Sequence, residues 1–178
     1  SRMSPNVVPA AQAWLLASTG HYLRALGRLT EAVEPMRAGL EMAVARAEWK
    51  NAAVGAGNLS ELKLTLGDVS AAIRDGARII DYAERGPDWG IHSKCPSLYA
   101  DARHQAGERD DAGQLFAELE TRQAQEQPSY PRLLSQPGFC YCDLLLSRAE
   151  RATWQATLVR TGSELSLIHI SEPTRRPI

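Results

Sequence analysis

The sequence predicts an all-α protein: an α-solenoid of about four helix-turn-helix hairpins repeating every 40 residues. Three observations carry this. Gly27, Gly67 and Gly107 are evenly spaced, with Ser147 in the fourth place. Ala32, Ala72, Ala112 and Ala152 follow five residues after each. Before each of these turns, apolar residues recur at intervals of three and four, which on a helix gather onto one face. A hairpin of this kind cannot bury its apolar face alone, so it stacks on copies of itself.

Each column has a physical reason. A glycine after a helix takes the left-handed conformation that caps the last carbonyls, which a residue with a Cβ adopts only at a cost. Thr30, Ser70 and Asp110, three past the glycines, have side chains able to accept from the free amides of a first turn, so they are the expected N-caps of the second helices. The alanines lie inside the second helix, where a small side chain lets helices approach. The stripes of the first helices are Thr19, Tyr22 and Leu26; Leu59, Leu62 and Leu66; Tyr99, Ala102 and Ala106; and Phe139, Cys142 and Leu146, each expected on a buried face.

Helices are expected near 10–26, 30–48, 51–66, 70–85, 94–106, 110–126, 132–146 and 149–161. The domain plan is a lead-in at 1–12, an array at 13–161 with repeats near 13–52, 53–92, 93–132 and 133–161, and a tail at 162–178. Gly86-Pro87-Asp88-Trp89-Gly90 and the stretch holding Pro128, Pro131 and Pro137 separate units, because proline removes a helix donor and holds its predecessor extended. Pro35 and Pro137 fall inside expected helices and predict a kink or a late start. Trp49 and Trp89, also 40 apart, are expected to pack on the following hairpin.

Composition narrows the function. Lys and Arg number 20 against 21 Asp and Glu, so no net field draws the chain to nucleic acid or an anionic membrane. No stretch is long and apolar enough to span a bilayer, no secretory leader is visible, and three cysteines make no disulfide framework; these point to the cytoplasm. No glycine-rich phosphate loop and no Ser or Cys elbow is present, so no enzyme and no cofactor are expected. Cys140 and Cys142 lie about 200° apart on a helix, too divergent to chelate one metal; the cysteines are read as small core residues, Cys142 as a core position in its stripe. Asp101 and His104 could supply two metal ligands but lack a third, and are read as a solvated pair.

The run Gly27-Arg28-Leu29-Thr30-Glu31-Ala32, with its counterparts Gly67 to Ala72 and Gly107 to Ala112, resembles the central turn of tetratricopeptide repeats. The resemblance covers most of 13–161. It departs from the family in its 40-residue period, where 34 is usual, and in lacking the Trp, Leu-Gly and Tyr positions of the first helices except Gly20. It implies a concave surface, lined by the first helix of each hairpin, that binds a protein or peptide. Placed on that pattern, His21, Arg24, Asn58, Glu61, Lys94, Asp101, His104 and Tyr141 are the candidate partner-binding residues; the plain alternative for each is a solvated helix face. Only Asn58 and Lys94 match the five residues with which chaperone-tail members hold a peptide carboxylate, since Ala17, His21 and Leu98 take the other places. Gly138 to Leu146 with Glu150-Arg151-Ala152 is similar to the end of repeat arrays in large bacterial signalling proteins. The expected function is therefore a non-catalytic interaction scaffold, a fragment of a larger bacterial repeat protein. The alternative is a sensor segment of a multidomain signalling ATPase or transcriptional regulator, whose partner is another domain of the same chain.

The run from Leu165 to Arg175, LSLIHISEPTR, resembles the in-frame translation of a sequencing-library adapter. That resemblance implies a natural sequence ending near Glu164 and a tail that carries no functional residue, His169 included.

Overall fold

The computed structural model describes residues 9–86 and 89–165, with side chains for 11–86 and 95–159 among them. The tail after Leu165, and the side chains of Trp89 and Lys94, lie outside the described residues. Seven helices and no strand are found among them: α1 (Pro9–Ala25), α2 (Leu29–Ala45), α3 (Trp49–Thr65), α4 (Val69–Arg85), α5 (Trp89–Gln105), α6 (Arg109–Glu126) and α7 (Ser135–Leu165). None is long and apolar enough to cross a membrane. The chain divides into two units, up to Leu144 and from Leu145 onward.

The first six helices begin at Pro9, Leu29, Trp49, Val69, Trp89 and Arg109, so the true spacing is 20 residues, and the 40-residue period of the glycines is two of these. Four of the turns are made alike. After α1, the Gly27 amide donates to the Arg24 carbonyl and the Arg28 amide to the Leu23 carbonyl; the same two bonds recur at 47 and 48, at 67 and 68, and at 107 and 108, all at 2.9–3.0 Å. This is the Schellman arrangement, which satisfies the orphan carbonyls of a helix end. Its left-handed residue is glycine at 27, 67 and 107, with φ between 74° and 88°, but alanine at 47, with φ 54°. The α4 end differs because Gly86, followed by proline, is extended at φ −105°, ψ 149°.

The turn leaves no spare residue, and this corrects the expected N-caps. The residue that closes one helix opens the next: Arg28, Glu48, Asp68 and Glu108 accept the first helical bond, from Ala32, Ala52, Ala72 and Ala112. Thr30, Ser70 and Asp110 therefore sit inside their helices rather than capping them. Among the four, Asp68 caps through its side chain, accepting from the Ala71 amide at 3.0 Å. α5 starts at Trp89, where 94 was expected. Pro35 lies within α2, while Pro137 is the third residue of a late-starting α7, in the turn whose amides lack helical partners anyway.

In the first unit α1–α2, α3–α4 and α5–α6 form hairpins, successive hairpins pack through α2–α3 and α4–α5, and α3 also touches α5. The core is built from small residues at close approaches. Ala32, Ala52, Ala72 and Ala112 are fully buried, with Leu40, Leu59, Leu62, Ile79 and Phe116 filling between them. Burying a Leu, Ile or Phe stabilises by about 1.5–3 kcal/mol each, and this offsets the entropy cost of ordering the helices. Buried Ser60 donates to the Ala72 carbonyl at 2.8 Å, tying α3 to α4. Trp49, the first residue of α3, packs within its own hairpin rather than on the following one: it stacks on Tyr82 of α4 with ring centroids 6.1 Å apart, and the Arg85 guanidinium lies 4.9 Å from its ring.

The expected buried stripes fail at several places. Thr19 and Tyr22 of α1 and Leu26 just past its end are exposed, as are Leu66 and Ala106 at the same place in the next two stripes, while Leu59 and Leu62 of α3 are buried against α2 and its neighbours. In α7, Phe139, Cys142 and Leu146 are exposed, and Cys140 and Leu144 are buried instead. The cause is register: α7 follows an eight-residue connection, residues 127–134, so it begins 26 residues after Arg109 instead of 20 and presents a different face. That connection folds tightly back, because a Cβ on Gly138 would collide with the Leu133 carbonyl.

The expected break at 147 is also absent: α7 runs through it to Leu165. Serine lacks glycine's freedom for the left-handed turn, and the residues after it, Arg148-Ala149-Glu150-Arg151-Ala152, are strong helix formers. In this second unit Ser147 is buried but Ala152, Trp154, Leu158 and Val159 are exposed, so the alanine column loses its packing role at its fourth place.

Candidate functional site

Four of the eight candidate residues come together on the face lined by the hairpin-first helices. The Arg24 guanidinium of α1 donates to Glu61 of α3 at 2.8 Å, both side chains being about 30 % exposed. This hydrogen bond holds Arg24 more firmly protonated than usual. The other Glu61 carboxylate oxygen accepts from Gln136 of α7 at 3.2 Å, so one carboxylate links three helices. Asp101 and His104 follow on α5. Asp101 accepts from Gln105 at 3.3 Å; burial pushes its carboxyl above the ordinary value, with Asp143 and Glu61 adding to the effect while Gln105 and His104 oppose it.

His104 corrects the expectation of a solvated pair. Its side chain is 5 % exposed, and its Nδ1 faces the Asp143 carboxylate at 3.5 Å, too far for a hydrogen bond. Cys140, beneath this cluster, has its thiol pushed up to about 12, first by burial and then by Asp101, Asp143 and Glu61. A cleft of about 320 Å³ opens beside the cluster, between Glu61, Leu64 and Thr65 of α3, Val69 of α4, and Asp101 and Gln105 of α5. No group of three or more His, Cys, Asp or Glu suited to a metal ion occurs among the described residues.

No family model, curated protein or solved structure matches this chain.

The remaining candidates stand apart. His21 is exposed and meets the neighbouring Tyr22 edge-on at 6.0 Å, and Asn58 is exposed on α3. Tyr141 belongs to the core, not the groove: it stacks on Phe116 at 5.1 Å. The same change of register that buried Cys140 turned it inward.

Three features escaped the sequence. Gln136 and Asp143 join the cluster from α7, whose register no periodic signal announced. A second cleft, of about 700 Å³, lies between α4, α5 and α6, floored by Ala83, Pro96, Tyr99 and Leu119 and rimmed by Glu84 and Glu118. It depends on how far α4 and α6 stand apart over α5, which spacing along the chain does not encode.

Proposed function

We propose that this chain is a tetratricopeptide-type binding module of a bacterial cytoplasmic protein, a non-catalytic scaffold that holds a protein or peptide along the face of α1, α3, α5 and the start of α7. The observation that carries this reading is the convergence of Arg24, Glu61, Asp101, His104 and Gln136, drawn from four helices over more than a hundred residues of sequence, onto one polar face with a cleft in it. Arg24, Glu61 and Gln136, fixed by mutual hydrogen bonds on their helices, are positioned to recognise a ligand without first being ordered, which lowers the entropic cost of binding. Cys95, Cys140 and Cys142, none in a disulfide, agree with a reducing compartment.

The test is display selection. The intact chain is panned against a library of short random peptides, and selected binders are re-measured on Glu61→Ala. Binders weakened by that substitution are expected. Selection of none, or binders indifferent to Glu61 and its neighbours, would refute the reading.

A further inference from the structure

The polar face carries unequal supplies of donors and acceptors. Glu61, Asp101 and Asp143 bring three carboxylates from α3, α5 and α7, each able to accept about four hydrogen bonds. Glu61 is met by Arg24 at 2.8 Å and Gln136 at 3.2 Å. Asp101 receives only a long bond from Gln105 at 3.3 Å, and Asp143 has the His104 Nδ1 at 3.5 Å. That nitrogen is buried without a hydrogen-bond partner, on a side chain 5 % exposed that faces Asp143, so the acidic cluster is not closed by its own donors. What the cluster lacks is positive charge and donors near Asp101.

The cleft beside it has the corresponding shape. Leu64 and Val69 supply apolar wall, and Glu61 and Asp101 supply the charge. An apolar stem ending in a cation fits both, and among side chains only lysine and arginine have that form. A bare metal ion would leave the apolar wall unused, and the donor set does not suit one. A peptide carboxylate would meet the like charges of Glu61 and Asp101.

Resting on the binding reading above, we propose that the cleft between α3 and α5 seats a lysine or arginine side chain of the partner, its stem along Leu64 and Val69 and its head between Asp101 and Glu61. Arg24 already shows the mode of recognition, since its guanidinium holds Glu61 from the α1 side. The incoming cation engages Asp101 from the other.

The experiment uses the intact chain and fluorescent, end-blocked peptide pools, randomised except for a central residue fixed as Arg, Lys, Gln, Leu or Glu, titrated at low salt and followed by anisotropy. The Arg and Lys pools are expected to bind about tenfold more tightly than the Gln pool, and Asp101→Asn to remove that advantage while Glu41→Gln, exposed on α2, keeps it. Equal binding of all pools would overturn the cation seat and leave the binding reading standing. A basic preference that survives Asp101→Asn would also overturn it, because the cation then sits elsewhere. Binding of no pool would remove the binding reading and this inference together. Thermal melts of Asp101→Asn separate loss of the site from loss of the fold.

Discussion

Ala47 performs, in a left-handed conformation, the task that glycine performs at 27, 67 and 107. Replacing it with glycine tests the turn with internal controls. The left-handed region costs an L-residue with a Cβ roughly 1–2 kcal/mol, while glycine gives up about 0.5–1 kcal/mol in unfolded-state entropy. The difference predicts that Ala47→Gly stabilises the protein by about 0.5–1 kcal/mol. Ala47 is exposed, so no packing is lost with its methyl. Gly67→Ala is the mirror experiment. A Cβ there meets nothing within 4 Å, so the whole effect is conformational and should destabilise by about 1 kcal/mol. Urea unfolding should show the two midpoints moving in opposite directions with unchanged slope, and melting temperatures shifting by about 2–4 °C each way. A lower midpoint for Ala47→Gly would refute the argument, because it would mean that residue 47 is not in the left-handed turn and that α2 and α3 are joined differently.

Gly76→Ala should destabilise clearly, by about 1–3 kcal/mol, because its Cβ would come within 3.2 Å of the Tyr99 backbone; at Gly57 the obstacle is the movable tip of Leu98 at 2.7 Å, so Gly57→Ala should cost far less, as urea midpoints would show. Iodoacetamide applied to the native protein should label exposed Cys142 first and Cys140 last, since a thiol raised to about 12 is almost wholly protonated at neutral pH; mass spectrometry of the peptides reads the order, and fast labelling of Cys140 would count against its burial. Asp101 has a folded-state carboxyl raised above its unfolded value, chiefly by burial and then by Asp143 on α7 and Glu61 on α3, against the Gln105 hydrogen bond and the pull of His104 on its own helix, with the Cys140 thiol nearby. The protonated form is therefore favoured in the fold, and stability is lost as pH rises through the raised value. Asp101→Asn should accordingly melt higher than the parent at neutral pH, with the gap closing as pH falls below the carboxylate range; a lower melting temperature at neutral pH would contradict this.

The parts of the fold that were legible are those with a chemical signature. Three of the four Schellman turns use glycine, so their 40-residue spacing was visible; the fourth uses alanine, which looks like any helix residue, and so the 20-residue unit was hidden. The expected N-caps fell two residues late because Thr30, Ser70 and Asp110 have the right side chains, while the three-residue turn hands the role to Arg28, Asp68 and Glu108. Ser147 sat where glycine was expected, but its position alone could not make the turn. Arg24, Glu61, Asp101 and His104 share one face, as the sequence placed them, because they lie on helices in periodic register. Tyr141 and Cys142 were misplaced because the connection at 127–134 breaks that register, and this also hid Gln136 and Asp143.

The uniform turns set the length in which this array can be edited by gene duplication or loss. Removing residues 49–88, forty in all, would join Glu48 directly to Trp89. A helix of the hairpin-first kind would then follow the same Schellman turn, with alternation of the two kinds intact and one rung, Glu61 with its neighbours, gone from the polar face. Removing twenty would preserve every turn yet put a hairpin-second helix in a hairpin-first place, so the face would carry the wrong side chains while each local rule was still obeyed. Recombination would thus preserve the make-up of the polar face only in steps of two helices, although the backbone tolerates steps of one.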